Sequence, residues 1–391
     1  MMQASQRMGR GGAAERRSGR RRMWSIAAAA AVIVLGAGWC GTWYYAASVA
    51  DRTLAGWVAR EAQAGRTYRC GSQGISGFPF RIEAQCEQAA AAVNSTQPPF
   101  DVAAHGVTFA AQVYNPTLLV GDVTGPLTVA VPGQPPRFVA SWSLAQLRVS
   151  GTPPAPDTVA IELERAHLNG GANAPTLFAA DDADLQARVV GGSATDHPVI
   201  DVALHLTSAT APSVHPLLGE PLQGNAEVVL RGLKDLTPKP FAERLRELQA
   251  SGGDITIKSL RLERSDAIVV GSGTLTVNAR GGLDGTLTLT ASGLDTIVPQ
   301  LGIDKLIDQG IDRLSGANGQ STAGLAALDR VLPGLSGVVR NTAAASLTDN
   351  LKRMGQPTQI DNKPAVALPL RFADGTVYLG TIRIGAVPPL F

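Results

Sequence analysis

The sequence predicts a mainly β protein of the α+β class: curved antiparallel meanders with a few packing helices, behind one N-terminal transmembrane helix. Three observations lead there. Gly and Pro supply 43 and 25 of 391 residues, against 5% aromatic and 17% charged residues, which favours turns and short strands over long helices. Runs with an apolar residue at every second position recur along most of the chain. Residues 23–45, MWSIAAAAAVIVLGAGWCGTWYY, carry no charge at all.

The chain opens on a basic tail, residues 1–22, with seven Arg and one Glu. The whole chain is +2, so the body beyond this +6 tail is net −4. A mildly acidic body argues against nucleic-acid binding. As a helix, residues 23–45 span about 35 Å, enough to cross a bilayer core of about 30 Å. Trp24 marks one interface, and Trp39, Trp43, Tyr44 and Tyr45 mark the other, as an aromatic belt does. All the arginines of the tail precede this segment, which places the N-terminus in the cytoplasm and everything after Tyr45 outside. The competing reading is a signal peptide cut after Ala46-Ala47-Ser48 or Ser48-Val49-Ala50. The uncharged run is longer than a usual signal core, which favours an uncleaved anchor. Bulky Trp39 before Cys40 does not suit a lipoprotein site, so that thiol reads as packing.

Residues 46–66 form a juxtamembrane helix or stalk, with Leu54, Trp57, Val58 and Glu61 at helical spacing and Gly65 as its stop. The next stretch, CGSQGISGFPFRIEAQC from Cys70 to Cys86, reads as a hairpin. Gly77 frees the backbone at its corner, and Pro79 fixes φ and donates nothing to a ladder. Phe78 and Phe80 flank that proline, placed to anchor the corner on whatever packs beneath it. Arg81 reads as a buried ion pair or a cap on a carbonyl. In an oxidising compartment Cys70 and Cys86 would close the hairpin as a disulfide. A redox or metal role is disfavoured, because there is no C-x-x-C and the nearest histidine is His105.

Residues 67–235 form an N-terminal β-rich domain. Turns fall at Pro98-Pro99, Asn115-Pro116, Gly121-Asp122 and Gly125-Pro126, with a strand over 138–151 and a proline-rich linker at 152–158. Val159, Ile161 and Leu163 then oppose Glu162 and Glu164, and Val202, Leu204 and Leu206 oppose Asp201 and His205. A C-terminal α+β domain, 236–391, opens with a helix over 239–250. Phe241, Leu245 and Leu248 are its apolar face, and Glu243, Arg244, Arg246 and Glu247 its polar one; Pro240 starts it and Gly252-Gly253 stop it. A meander follows, carrying Ile255, Ile257, Leu260 and Leu262, then Ile268, Val270, Leu275 and Val277, then Leu283, Leu287 and Leu289. Ser265-Asp266 and Asp284-Gly285 mark its turns. Residues 295–355 read as helical with a soft loop at 315–325, and Asp374-Gly375 signals a closing hairpin.

Chemistry is sparse. There is no G-x-S-x-G, phosphate loop, H-E-x-x-H or dinucleotide fingerprint. His105, His167, His197, His205 and His215 are scattered without metal-ligand spacing, and Asp181, Asp182 and Asp184 lie in a turn-like, solvated stretch. The expectation is a non-enzymatic protein with no cofactor and no metal.

The Cys…Gly-Phe-Pro-Phe-Arg…Cys corner behind a basic tail and anchor resembles an uncharacterised family of membrane-anchored proteobacterial proteins. Val113-Tyr114-Asn115-Pro116 and Phe372-Ala373-Asp374-Gly375…Leu379-Gly380 are similar to that family too, and the likeness covers nearly all of residues 25–391. It implies a periplasmic β-rich domain held at the inner membrane, and supplies no catalytic residues. The helix–glycine–meander unit is similar to parts of AsmA-like envelope proteins, whose β-grooves are linked to lipid handling. The expected function is therefore an inner-membrane-anchored periplasmic protein in envelope biogenesis that binds lipid or acyl chains. Ile255, Ile257, Leu260, Leu262, Leu275, Val277, Leu287 and Leu289 would line the groove, each buried CH₂ contributing about 0.8 kcal/mol. The alternatives are a protein-interaction scaffold with a closed core and, third, a periplasmic enzyme. The expected partners are the inner membrane and lipid or envelope proteins, with no nucleic acid.

Overall fold

The computed structural model describes residues 12–152, 155–171, 174–237, 239–298, 348–349 and 351–391. The predicted loop at 315–325 and most of the helical stretch 295–355 lie outside them. A helix, α1 (Gly12–Gln63), runs unbroken through the predicted anchor and stalk. Its portion Met23–Gln63 is long and apolar enough to cross a membrane, and none of its most apolar window is buried in the protein.

The described strands join into one eighteen-stranded sheet with antiparallel pairing throughout. The first stretch holds β1 (Arg66–Arg69), β2 (Ser72–Ser76), β3 (Arg81–Val93), β4 (Phe100–Gln112), β5 (Asn115–Ala130) and β6 (Pro136–Ser141). The middle holds β7 (Leu144–Thr152), β8 (Ala155–Asn169), β9 (Thr176–Ser193), β10 (Asp196–Ala209) and β11 (Leu222–Arg231). After α2 (Phe241–Ala250) come β12 (Asp254–Arg264), β13 (Ala267–Val277), β14 (Leu283–Ser292) and the short α3 (Leu294–Ile297). The last strands are β15 (Gln356–Ile360), β16 (Lys363–Ala373), β17 (Thr376–Leu379) and β18 (Ile382–Ala386). Both β1 and β2 pair with β3, and the ladder then steps through β4 and β5 to β7, β8 and β9. It continues through β10 to β14 and then to β16, β17 and β18. Across the expected domain boundary at 235–236, β11 pairs directly with β12.

Several local expectations are corrected. The run 138–151 is two strands, broken at Trp142, whose indole N–H donates to the Val123 carbonyl at 2.8 Å. The proline-rich stretch 152–158 is not a linker between separate units: Thr152 ends β7, residues 155–158 open β8, and Thr152 pairs with Ala155. Asp181, Asp182 and Asp184 lie within β9, their exposed side chains on a strand and not a turn. Asp284-Gly285 is inside β14; the turn comes earlier, where the Gly281 N–H donates to the Asn278 carbonyl at 3.0 Å. Asp182, Asp184 and Gly285 sit in strands because each pairs on both sides, which satisfies the backbone and overrides local preference.

α2 buries Leu245 and Leu248, whereas Phe241 is 73% exposed and the third buried side chain is Glu247. The expected polar face is thus wrong at Glu247. Its carboxylate accepts from the Lys234 backbone N–H, from Lys239 Nζ at 2.9 Å and from Arg244 Nη1 at 3.0 Å. Arg244 also donates to the Asp235 carbonyl at 2.6 Å. A buried carboxylate needs such partners, and here they tie the helix to the loop before it.

Candidate functional site

Cross-strand partners share a face of a sheet, so the register decides what each face displays. One row runs Ile75, Ala84, Phe109, Gly121, Leu147 and Ile161, strand by strand from β2 to β8. It continues through Leu185, Leu204, Ala226, Leu260, Gly271, Leu289 and Leu368 on β9 to β16. The row beside it reads Ile82, Ala111, Leu119, Val149, Val159, Ala187 and Val202. Val228, Ile257, Gly273, Leu287, Leu370 and Leu379 complete it. Neither row contains a polar side chain. The opposite face carries Thr108, Asp122, Gln146, Glu162, Asp184, His205, Asn225 and Arg261 in one register line. There Gln146 Nε2 donates to Asp122 Oδ1 at 2.9 Å, and Arg148 pairs with Glu162 at 2.9 Å.

Among the described residues the apolar face is covered at two places. α2 packs Leu245 and Leu248 over Val277, Leu233, Ile200, Ile255 and Leu283, with Leu390 and Phe391 of the C-terminus. At the other end of the same strands, Leu294 and Val298 pack on Ala291 and Val366 beside Val269, Leu351 and Leu368. Among the described residues no helix covers the strip between them. Ile257, Leu260, Leu262, Leu275, Leu287 and Leu289 are half-buried, and Ile255 is half-buried at the margin of α2. Val277 is taken into the α2 contact at 6% exposure. Toward β4–β9 cover is thinner still: Phe109, Leu119, Ile161 and Leu185 are 37–38% exposed on that same face. These residues continue the strip beyond the expected liners. Their period-two alternation was the signal that pointed to them, as at Val159, Ile161 and Leu163.

The spacing of Ile257 and Leu260 breaks that alternation, yet both lie on the apolar face. A bulge between them absorbs the extra residue opposite Gly271 and Gly273. At Gly121 an added Cβ would come within 2.7 Å of the Phe109 ring, so the ring occupies the space the glycine leaves.

The cysteine hairpin sits at the β3 edge. Cys70 and Cys86 are bonded, with Cα atoms 5.4 Å apart. Gly77 takes φ +100°, a region open to glycine, and a Cβ there would meet the Arg81 carbonyl oxygen at 2.7 Å. The corner meets α1: Trp39 and Trp43 donate their indole N–H groups to the carbonyls of Pro79 and Arg81, each at 2.9 Å. Trp43 stands edge-on to Phe78 with ring centroids 5.4 Å apart, and Trp39 lies 6.4 Å from Phe80. Arg81 is not buried. Its side chain is 60% exposed and pairs with Glu83 at 3.2 Å, because the carbonyl of Arg81, not its guanidinium, makes the anchoring bond. Farther along, Trp57 packs on Tyr68 at 4.8 Å, and Glu61 accepts from Arg66 Nη2 at 2.9 Å. Replacing Cys70 and Cys86 by Ser is expected to cost about 3 kcal/mol through loop-closure entropy. Denaturant unfolding with and without reductant checks this: reductant should shift the parent and leave the variant unmoved.

Among the described residues no group of three or more His, Cys, Asp or Glu is placed to hold a metal. His205 Nδ1 lies 2.6 Å from Asn225 Oδ1, and Asp201 pairs with Lys258 at 2.7 Å, so these two same-face groups are engaged separately. A family model described as "Uncharacterized protein conserved in bacteria (DUF2125)" matches residues 43–388. No curated protein matches the chain.

Proposed function

We propose, starting from the fact that the chain belongs to the DUF2125 family of bacterial proteins, that it is a non-enzymatic, membrane-anchored protein that carries lipid or acyl chains along its sheet. The observation that carries this reading is the pair of all-apolar register rows, which leave a strip without polar side chains partly open to solvent. A soluble protein gains nothing from exposing such a strip, and large exposed apolar patches mark binding surfaces. An acyl chain laid along it removes apolar surface from water at about 0.8 kcal/mol per CH₂. Two observations support a periplasmic position for the sheet beside the inner membrane: the arginines that precede the uncharged run 23–45, and a disulfide that suits an oxidising compartment. A role in envelope biogenesis follows from moving or holding lipid there.

Site-specific photo-crosslinking in cells tests the reading on adjacent residues of one strand. A benzophenone side chain at Ile161 should yield a lipid adduct by mass spectrometry, and one at Glu162, on the other face, should not. Equal yields at both positions, or none at either, would remove the lipid reading. A scaffold reading is favoured by one observation: edge strand β18 presents Ile382 and Ile384, 50% and 52% exposed, beyond its pairing with β17. Protein adducts at Ile384 without lipid adducts at Ile161 would favour it.

A further inference from the structure

We propose that the Gly77–Arg81 corner, with the turn between β4 and β5, is a foot that sits in the lipid interface beside the exit of α1, the bilayer itself being its partner. The inference rests on the reading of α1 as a membrane span. Trp24 and Trp43 lie about 28 Å apart along a continuous helix, close to the thickness of a bilayer core. The corner is bonded to Trp39 and Trp43, so it is held at the depth where the second aromatic belt falls.

Its own surface suits that depth. Phe78 and Phe80 are 52% and 63% exposed although they touch α1, and Tyr114 in the neighbouring turn is 69% exposed. In water three such rings at one tip are a liability; in the interface they are anchors. The backbone is prepared as well. The carbonyls of Gly77, Pro79, Phe80 and Arg81 all accept hydrogen bonds, from Arg81 N–H, Trp39, Val113 N–H and Trp43. Irregular backbone is tolerated near hydrocarbon only when its polar groups are satisfied from within the protein. The row Ile82–Ala111–Leu119 begins immediately above this tip, so the foot would set one margin of the apolar strip against the acyl chains.

The test uses the full chain with Cys40→Ser, reconstituted in vesicles of phosphatidylethanolamine and phosphatidylglycerol. Single cysteines at Ile33, Phe80, Tyr114 or Gln134 carry an environment-sensitive NBD label, and intact mass confirms that Cys70 and Cys86 remain bonded. Gln134 lies past the far end of β5, about 50 Å from the turn at its start. The expected result is loss of emission at Ile33 and Phe80 with a doxyl acyl-chain quencher and none with aqueous iodide, Gln134 doing the reverse. Iodide quenching at Phe80 with lipid quenching at Ile33 overturns the foot and leaves the anchor standing. Iodide quenching at Ile33 overturns both. If the Phe80→Cys chain does not fold, the label at Tyr114 decides by the same criterion.

Discussion

An Ile161→Asp chain is expected to fold and to lose its lipid. Ile161 is 37% exposed and stands between Leu147 and Leu185 on the apolar strip, with no polar group beside it in the row. Its loss from a half-covered position costs about 1 kcal/mol in strand preference and cross-strand contact. A carboxylate facing an acyl chain is different, because no partner offsets its desolvation. That penalty is on the order of 3 kcal/mol, which corresponds to a loss of affinity of roughly a hundredfold. Lipid extracted from the purified protein and counted per chain measures it, beside a melting curve that should move by only a few degrees. Gln186→Asp on the polar face, whose cross-strand partner is Ala160, is the control and should keep its lipid. If Ile161→Asp retained lipid at the parent stoichiometry, the strip would not be the binding surface.

Glu247→Ala is expected to be strongly destabilising, at about 2–3 kcal/mol, because it takes the acceptor from the Lys234 N–H and leaves Lys239 and Arg244 with Asp235 as their remaining carboxylate. Lys239 and Arg244 are 22% and 20% exposed, and both donate to this carboxylate, as does the Lys234 backbone. Without it α2 should loosen and uncover Val277 and Leu233, so amide exchange should rise in 241–250 before it rises in β4 and β5. The same site sets an acid limit. Burial pushes the Glu247 carboxyl upward, but the Lys234 N–H, the bond from Lys239 and the charges of Arg244 and Lys239 outweigh it and hold it below its ordinary 4.5. A lowered folded value means that this contribution is present above the unfolded value and is lost as pH falls through the folded one. The parent's melting temperature should therefore fall as the pH drops below 4.5, and Glu247→Gln should flatten that fall. An unchanged acid slope in the Gln variant would show that the carboxylate does not couple to folding.

What the chain's own order determined is local. Alternation at Val159–Leu163 and Val202–Leu206, the uncharged run 23–45, the turn at Asp374-Gly375 and the two cysteines each report through near neighbours, so the β class, the long apolar helix and the disulfide hairpin are legible without pairing partners. The tertiary structure decided whatever depends on register. Ile161 and Leu289 are more than a hundred positions apart, and only the summed pairings of the intervening strands, bulge at Ile257–Leu260 included, bring them into one apolar row. The burial of Glu247, the surface position of Arg81 and the bonds from Trp39 and Trp43 to the Phe-Pro-Phe corner are of the same kind. Each joins segments whose separation along the chain carries no periodic signal, so each is set by packing free energy and not by local pattern.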